Sequence, residues 1–191
     1  MIGRIGLANE SIHRGGDMKY FASVLMTFCL IATAGFAFSY EDITPIEAIS
    51  GIQEAGAFIL DVRTPQEWNW VGHPGINGTG EGEYLDGKVV NVSYMVYHEG
   101  YSKGDVLIVN THFIKDVKKI LDADDPIITM CRSGGRSLNA AIALEAAGFT
   151  NVYNMLTGFE GEKDENNYRT VNGWKVDGHP YNFSGIGDYK D

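Results

Sequence analysis

Pro126-Ile127-Ile128-Thr129-Met130 runs directly into Cys131-Arg132-Ser133-Gly134-Gly135-Arg136-Ser137, and the reading of this stretch decides the fold. The first part is short, rich in β-branched residues and uncharged, as a strand covered on both faces of a parallel sheet must be. After it, Leu138, Ala141, Ile142 and Leu144 recur at helical spacing, and Gly148 is placed to end that helix. Cys131 therefore falls on a strand-to-helix turn, facing the helix N-terminus. Backbone N–H groups converge at such a turn and favour a thiolate or an oxyanion.

Working outward, the same alternation of elements recurs. Thr44-Pro45-Ile46-Glu47 is a helix start, with Thr at the N-cap, Pro at the first helical position and Glu closing a capping box. That helix is predicted to run to Ala55 and stop at Gly56. Ala57–Val62 reads as a central strand that delivers Asp61 and Arg63 to the carboxyl edge of the sheet, where open α/β folds place their ligands. Pro65-Gln66-Glu67-Trp68 reads as a helical turn, and Gly72 to Gly87, with six glycines, as a long loop. Lys88–Met95 alternates as one strand would. Val106–Val109 fits a short strand or an apolar loop, and Tyr97 to Lys103 fits no element. Phe113, Val117, Ile120 and Leu121 space a helix, and Asn151–Met155 a last strand followed by an exit turn, Leu156–Gly161. The order implies an α/β fold, a doubly wound parallel sheet with helices on both faces.

The chain has 191 residues and a formal net charge of −10, with 15 basic against 25 acidic side chains. Such a balance repels a phosphate backbone and argues against nucleic acid as a partner. The cysteines are Cys29 and Cys131, so no disulfide framework exists. From Tyr20 to Ala37 the chain carries no charge, with Lys19 before it and small residues at Gly35, Ala37 and Ser39. This reads as a signal peptide over Lys19 to Ala37, cut after Ala37 or Ser39, with Met18 as the expected start, and it implies a periplasmic or otherwise exported protein. Uncleaved, the segment would be a membrane anchor, and only then would a membrane be a partner. Cleavage would remove Cys29 and leave Cys131 alone. The expected organisation is a signal and extension over 1–39, a catalytic domain over 40–161 and an extension over 162–191. Trp174, Tyr181 and Phe183 are candidate anchors for that tail.

The chemistry follows from the loop. Gly134 and Gly135 let successive amides turn inward around a small anion, and Arg132 and Arg136 add positive charge and planar donors. An ionised thiol held there needs no separate general base. His73, His98, His112 and His179 are scattered without ligand spacing, so neither a metal nor a cofactor is expected. Trp68 and Trp70 read as residues that pack or rim a cleft.

These residues resemble the rhodanese family of sulfurtransferases over roughly Thr44 to Gly161. The resemblance rests on Leu60-Asp61-Val62-Arg63, Pro65-Gln66-Glu67-Trp68, Gly72-His73-Pro74-Gly75, the Cys131–Ser137 loop and Gly158-Phe159-Glu160-Gly161. It implies a rhodanese-like sheet and a catalytic Cys131 that takes sulfur from a donor such as thiosulfate. The sulfur would be held as a persulfide and passed to a thiol, to cyanide or to a protein acceptor. It also implies that Arg132, Ser133, Gly134, Gly135, Arg136 and Ser137 bind the donor and steady the persulfide, while Asp61 and Arg63 support the loop. Four residues separate Cys131 from Arg136, as in sulfurtransferases of this fold, whereas its phosphatases and arsenate reductases have five. The other readings are a docking module without turnover and, behind it, such a phosphatase or reductase. Two departures from the family pattern stand out: the inserted Ile76 to Lys88, and the tail beyond Gly161.

Overall fold

The computed structural model describes residues 40–98 and 107–184. The segment read as a signal peptide, with Met18 and Cys29, lies outside the described residues, as does most of Tyr97 to Lys103. Five strands, β1 (Glu41–Ile43), β2 (Phe58–Asp61), β4 (Val89–Asn91), β7 (Pro126–Met130) and β8 (Asn151–Met155), form one sheet in the order β1-β8-β7-β2-β4. Every neighbouring pair is parallel. Successive side chains of a strand face opposite ways, and here both ways lead to core. Leu60, Ile127 and Val152 pack on one face with Phe113 and Val117 of α3 (Phe113–Val117) and with Ala140, Ala141 and Leu144 of α4 (Gly135–Ala146). Ile59, Ile128 and Met155 pack on the other with Ala48 and Ile52 of α1 (Pro45–Ala55). The fold is thus the doubly wound α/β sheet the residue pattern implies.

The helix α1 starts as read. The Thr44 N–H donates to Glu47 Oε2 at 2.7 Å, the Glu47 N–H returns to Thr44 Oγ1 at 3.4 Å, and Gly56 closes the helix at φ 68°. Helix α4 begins at Gly135, ahead of the apolar Leu138 that signals it in sequence.

Three elements differ from their sequence reading. Lys88–Met95 is not a single strand: β4 ends at Asn91, and the chain then runs beside the end of β2, with Val92 N–H on Asp61 O and Tyr94 N–H on Val62 O, both at 3.1 Å. The polar members of the alternation turn inward, because Asn91 Nδ2 and Ser93 Oγ donate to the Arg63 carbonyl at 2.9 and 3.0 Å. Met95–Tyr97 (β5) then leaves the sheet and pairs antiparallel with Leu107–Val109 (β6). The helix expected to reach Leu121 is short, since α3 ends at Val117 and turns carry the rest. β1 has no counterpart in the sequence reading. It is held from outside, by its ladder to β8 and by Asn154 Nδ2 on Asp42 Oδ1 at 2.8 Å.

The two departures from the family pattern meet, since Asn182 Nδ2 of the tail donates to Ile76 O of the inserted loop at 2.7 Å. His73–Pro74 (β3) pairs antiparallel with Tyr181–Asn182 (β9), and a 3-10 turn at Glu83–Leu85 occupies the middle of the Gly72 to Gly87 stretch. Within the tail Trp174 is fully buried, in the cluster of Leu85, Met155 and Phe159; its Nε1 donates to Pro180 O at 2.8 Å, and its N–H to Gly158 O at 3.0 Å. Lys175 Nζ reaches Val71 O at 3.2 Å, tying the tail to α2 (Pro65–Val71). Of the three expected anchors, Trp174 and Tyr181 pack on the domain, whereas Phe183 remains 57% exposed. No helix among the described residues is long and apolar enough to cross a membrane.

Truncating a fully buried Trp leaves a cavity, so Trp174→Ala is expected to cost about 3–5 kcal/mol of unfolding free energy. Urea denaturation would reveal it, and a change below about 1 kcal/mol would mean that the tail does not belong to the core.

Candidate active site

Cys131 follows β7 directly, and its side chain is 2% exposed. Ser137 Oγ lies 3.4 Å from Cys131 Sγ and 2.9 Å from Gly134 O, so its one proton can serve either. Beneath them, Thr129 Oγ1 lies 3.0 Å from both Ser137 O and Tyr153 O and joins β7 to α4 and β8. Gly134 stands at φ 94°, and a Cβ there would fall 2.0 Å from Leu156 O, which requires glycine on both counts.

The loop is held from below by the segment after β8. Phe159 N–H donates to Cys131 O at 2.8 Å, and Glu160 and Gly161 N–H donate to Arg132 O at 2.9 and 3.1 Å. In a trans peptide the N–H points opposite to the C=O. With those two carbonyls directed into the 158–161 segment, the amides of Arg132 and Ser133 are directed away from it, toward the side where an anion cradle requires them. The first-turn amides of α4 likewise have no intrahelical acceptor.

Asp61 sits beside Met130 in the β2–β7 register, one residue before the cysteine. Its carboxylate accepts from the Arg63 backbone N–H at 3.0 Å, from Arg63 Nε at 2.9 and 3.1 Å and from Nη2 at 2.6 Å. Both side chains are fully buried. Nη2 also donates to Gly72 O at 2.8 Å, and the guanidinium lies 4.3 Å from the centre of the Phe159 ring. Burial alone would lower the Arg63 pKa, but the charge and hydrogen bonds of Asp61 raise it above its ordinary value. The cation therefore joins β2, the end of α2 and the segment under Cys131.

The remaining loop residues divide. Arg132, Ser133 and Gly135 are exposed at the mouth, and Gly134 is buried. Arg136 turns to a residue to which the sequence reading gave no role in the site. Its Nη1 and Nη2 donate to Glu67 Oε2 and Oε1 at 2.7 and 2.6 Å. The same carboxylate caps α2, accepting from Thr64 N–H at 3.1 Å and Thr64 Oγ1 at 3.3 Å. Burial pushes the Glu67 carboxyl up, and the hydrogen bonds and charge of Arg136, with smaller help from Thr64 and Arg63, bring it below its ordinary value. The Thr64-x-x-Glu67 spacing marks this capping box in sequence; the ion pair to a residue 69 positions away leaves no local mark. Trp68 is buried against His73, their rings stacked 3.7 Å apart, while Trp70 is 81% exposed.

A family model described as a rhodanese-like domain matches residues 44–165. The chain belongs to the rhodanese-like family. It is 34% identical over 115 residues to the senescence-associated protein DIN1 of Raphanus sativus, covering 60% of this chain and 53% of that protein, so the match spans about half the relative's length. It is 31% identical over 106 residues to thiosulfate sulfurtransferase 18 of Arabidopsis thaliana, covering 56% of this chain and 66% of the relative. The crystal structure of Rv0390 from M. tuberculosis superposes with a TM-score of 0.63 at 34% identity, over 76% of this chain and all (100%) of that one.

The Glu67 pKa is lower in the folded protein than in the unfolded chain, so its ionised form stabilises the fold above the unfolded value of about 4.3. That contribution is lost as the pH falls through the lower, folded value. Glu67→Gln retains the capping oxygen but not the charge. Urea denaturation should therefore find it less stable than wild type by about 1–2 kcal/mol at pH 7, with the gap closing as the pH is taken toward 3. A gap that does not change with pH would contradict the assignment.

Proposed function

We propose that the protein is a sulfurtransferase that carries sulfane sulfur on Cys131. The Cys131 thiolate attacks the outer sulfur of a donor such as thiosulfate. The sulfur–sulfur bond of the donor breaks, sulfite leaves with the electron pair, and Cys131 keeps the outer sulfur as a persulfide anion. An acceptor thiolate then attacks the terminal sulfur, becomes a persulfide itself and restores the Cys131 thiolate; cyanide in the same role leaves as thiocyanate. The steps balance without a cofactor or an external oxidant.

The observation that carries this reading is the placement of Cys131 on the strand-to-helix turn, with amides of its own loop directed away from the segment that holds it. Amides in that arrangement offer hydrogen bonds to an anion attached to the cysteine without needing to reorganise. Arg132 supplies an exposed cation at the mouth. The short loop between Cys131 and Arg136 favours a bound sulfur over a tetrahedral phosphate, and the similarity to thiosulfate sulfurtransferase 18 supports the same chemistry. Export, read from the uncharged run before Glu41, belongs to this proposal and places the acceptor outside the cytoplasm.

Incubation with thiosulfate and cyanide should yield thiocyanate, and Cys131→Ser should reduce the rate to background. Cys131-dependent hydrolysis of an aryl phosphate, without thiocyanate formation, would replace this reading with a phosphatase.

A further inference from the structure

Arg136 is one of two cations in the Cys131 loop, and the Nη1–Nη2 edge of its guanidinium is already occupied. Both Nη atoms meet the two oxygens of Glu67 in a fork-to-fork pair, the arrangement in which a guanidinium would otherwise take two oxygens of a sulfonate. The carboxylate is fixed from behind by the Thr64 amide and hydroxyl, so it is a built part of α2 rather than a mobile surface acid. The Arg136 and Glu67 side chains are only 15% and 19% exposed, and a pair so covered is screened little by salt.

A charged donor entering this loop therefore meets two obstacles that an unpaired Arg136 would not present. Its oxygens must compete with Glu67 for the Nη1–Nη2 edge of the guanidinium, and its charge approaches a fixed carboxylate. Both obstacles grow with the negative charge of the donor.

Resting on the sulfurtransfer reading, we propose that Glu67 is a specificity-determining residue, an internal anion that competes with the donor for Arg136 and biases the site away from doubly charged donors. The donor class the site accepts best is then a sulfane sulfur carrying one negative charge or none. Glu67 touches neither the donor nor Cys131; it acts through Arg136.

Two donors that undergo the same displacement at the outer sulfur separate this role from a structural one. Thiosulfate is a dianion and releases sulfite; benzenethiosulfonate is a monoanion and releases benzenesulfinate. Thiocyanate formation is followed with each donor for the full chain, its Glu67→Gln variant, which keeps an acceptor for the α2 cap, and Glu67→Asp, which keeps the charge. In Glu67→Gln, KM for thiosulfate should fall by about three- to tenfold, KM for benzenethiosulfonate by roughly the square root of that factor, and kcat for both should change little. Glu67→Asp should leave the ratio of the two KM values near the wild-type ratio. A thiosulfate KM that stays level or rises in Glu67→Gln, or an equal fall for both donors, overturns the inference while leaving sulfurtransfer in place. A wild-type protein that takes sulfur from neither donor overturns the sulfurtransfer reading, and this inference with it.

Discussion

The buried pair of Asp61 and Arg63 is the interaction on which the site depends. Two charges removed from water are tolerable only when each is paired and hydrogen-bonded, and here the Asp61 carboxylate takes four contacts from Arg63 alone. That requirement fixes the end of β2 next to the end of β7. It also draws in Gly72 through its carbonyl and Phe159 through its ring, so one cation joins the sheet, the end of α2 and the segment under Cys131. The Arg63 carbonyl in turn receives Asn91 and Ser93, which extends the same brace to the outermost strand β4. Removing either charge would leave its partner buried and alone, a loss of about 3–5 kcal/mol.

Onto this brace the fold sets a loop with two different electrostatic parts. Around Cys131 the backbone contributes dipoles, positioned by the hydrogen bonds to the Cys131 and Arg132 carbonyls and by the start of α4. A dipolar cradle of this kind can hold an anion without a full charge beside it. Arg136 is neutralised locally by Glu67, which leaves Arg132 as the exposed cation of the loop. In the proposed sulfurtransfer, the backbone amides support the sulfur anion and the Glu67–Arg136 pair restrains attraction for highly charged donors.

Much of this was legible in sequence, and the parts that were not share a physical cause. Pro126–Met130 announces a doubly covered strand because both its faces must be apolar, and Thr44-Pro45-Ile46-Glu47 announces a helix because a capping box is local. Cys131 and its glycines declare a turn that must cradle something. The ladders of β1 with β8, of β3 with β9 and of β5 with β6 are set by distant partners, and strands of two or three residues are too short to carry a period. Asn91 and Ser93 look like the solvent-facing half of an alternating strand until their hydrogen bonds to the Arg63 carbonyl are seen. Glu67 is legible as a cap and illegible as the partner of Arg136, since nothing within a few residues of either records the other.

The central claim is that Cys131 carries sulfur covalently. The most direct measurement is the intact mass of the protein after treatment with thiosulfate, and again after cyanide. The account predicts the addition of one sulfur atom, located on the Cys131 peptide and removed by cyanide with the release of thiocyanate. An unchanged mass on a protein whose Cys131 remains free to alkylation would contradict it.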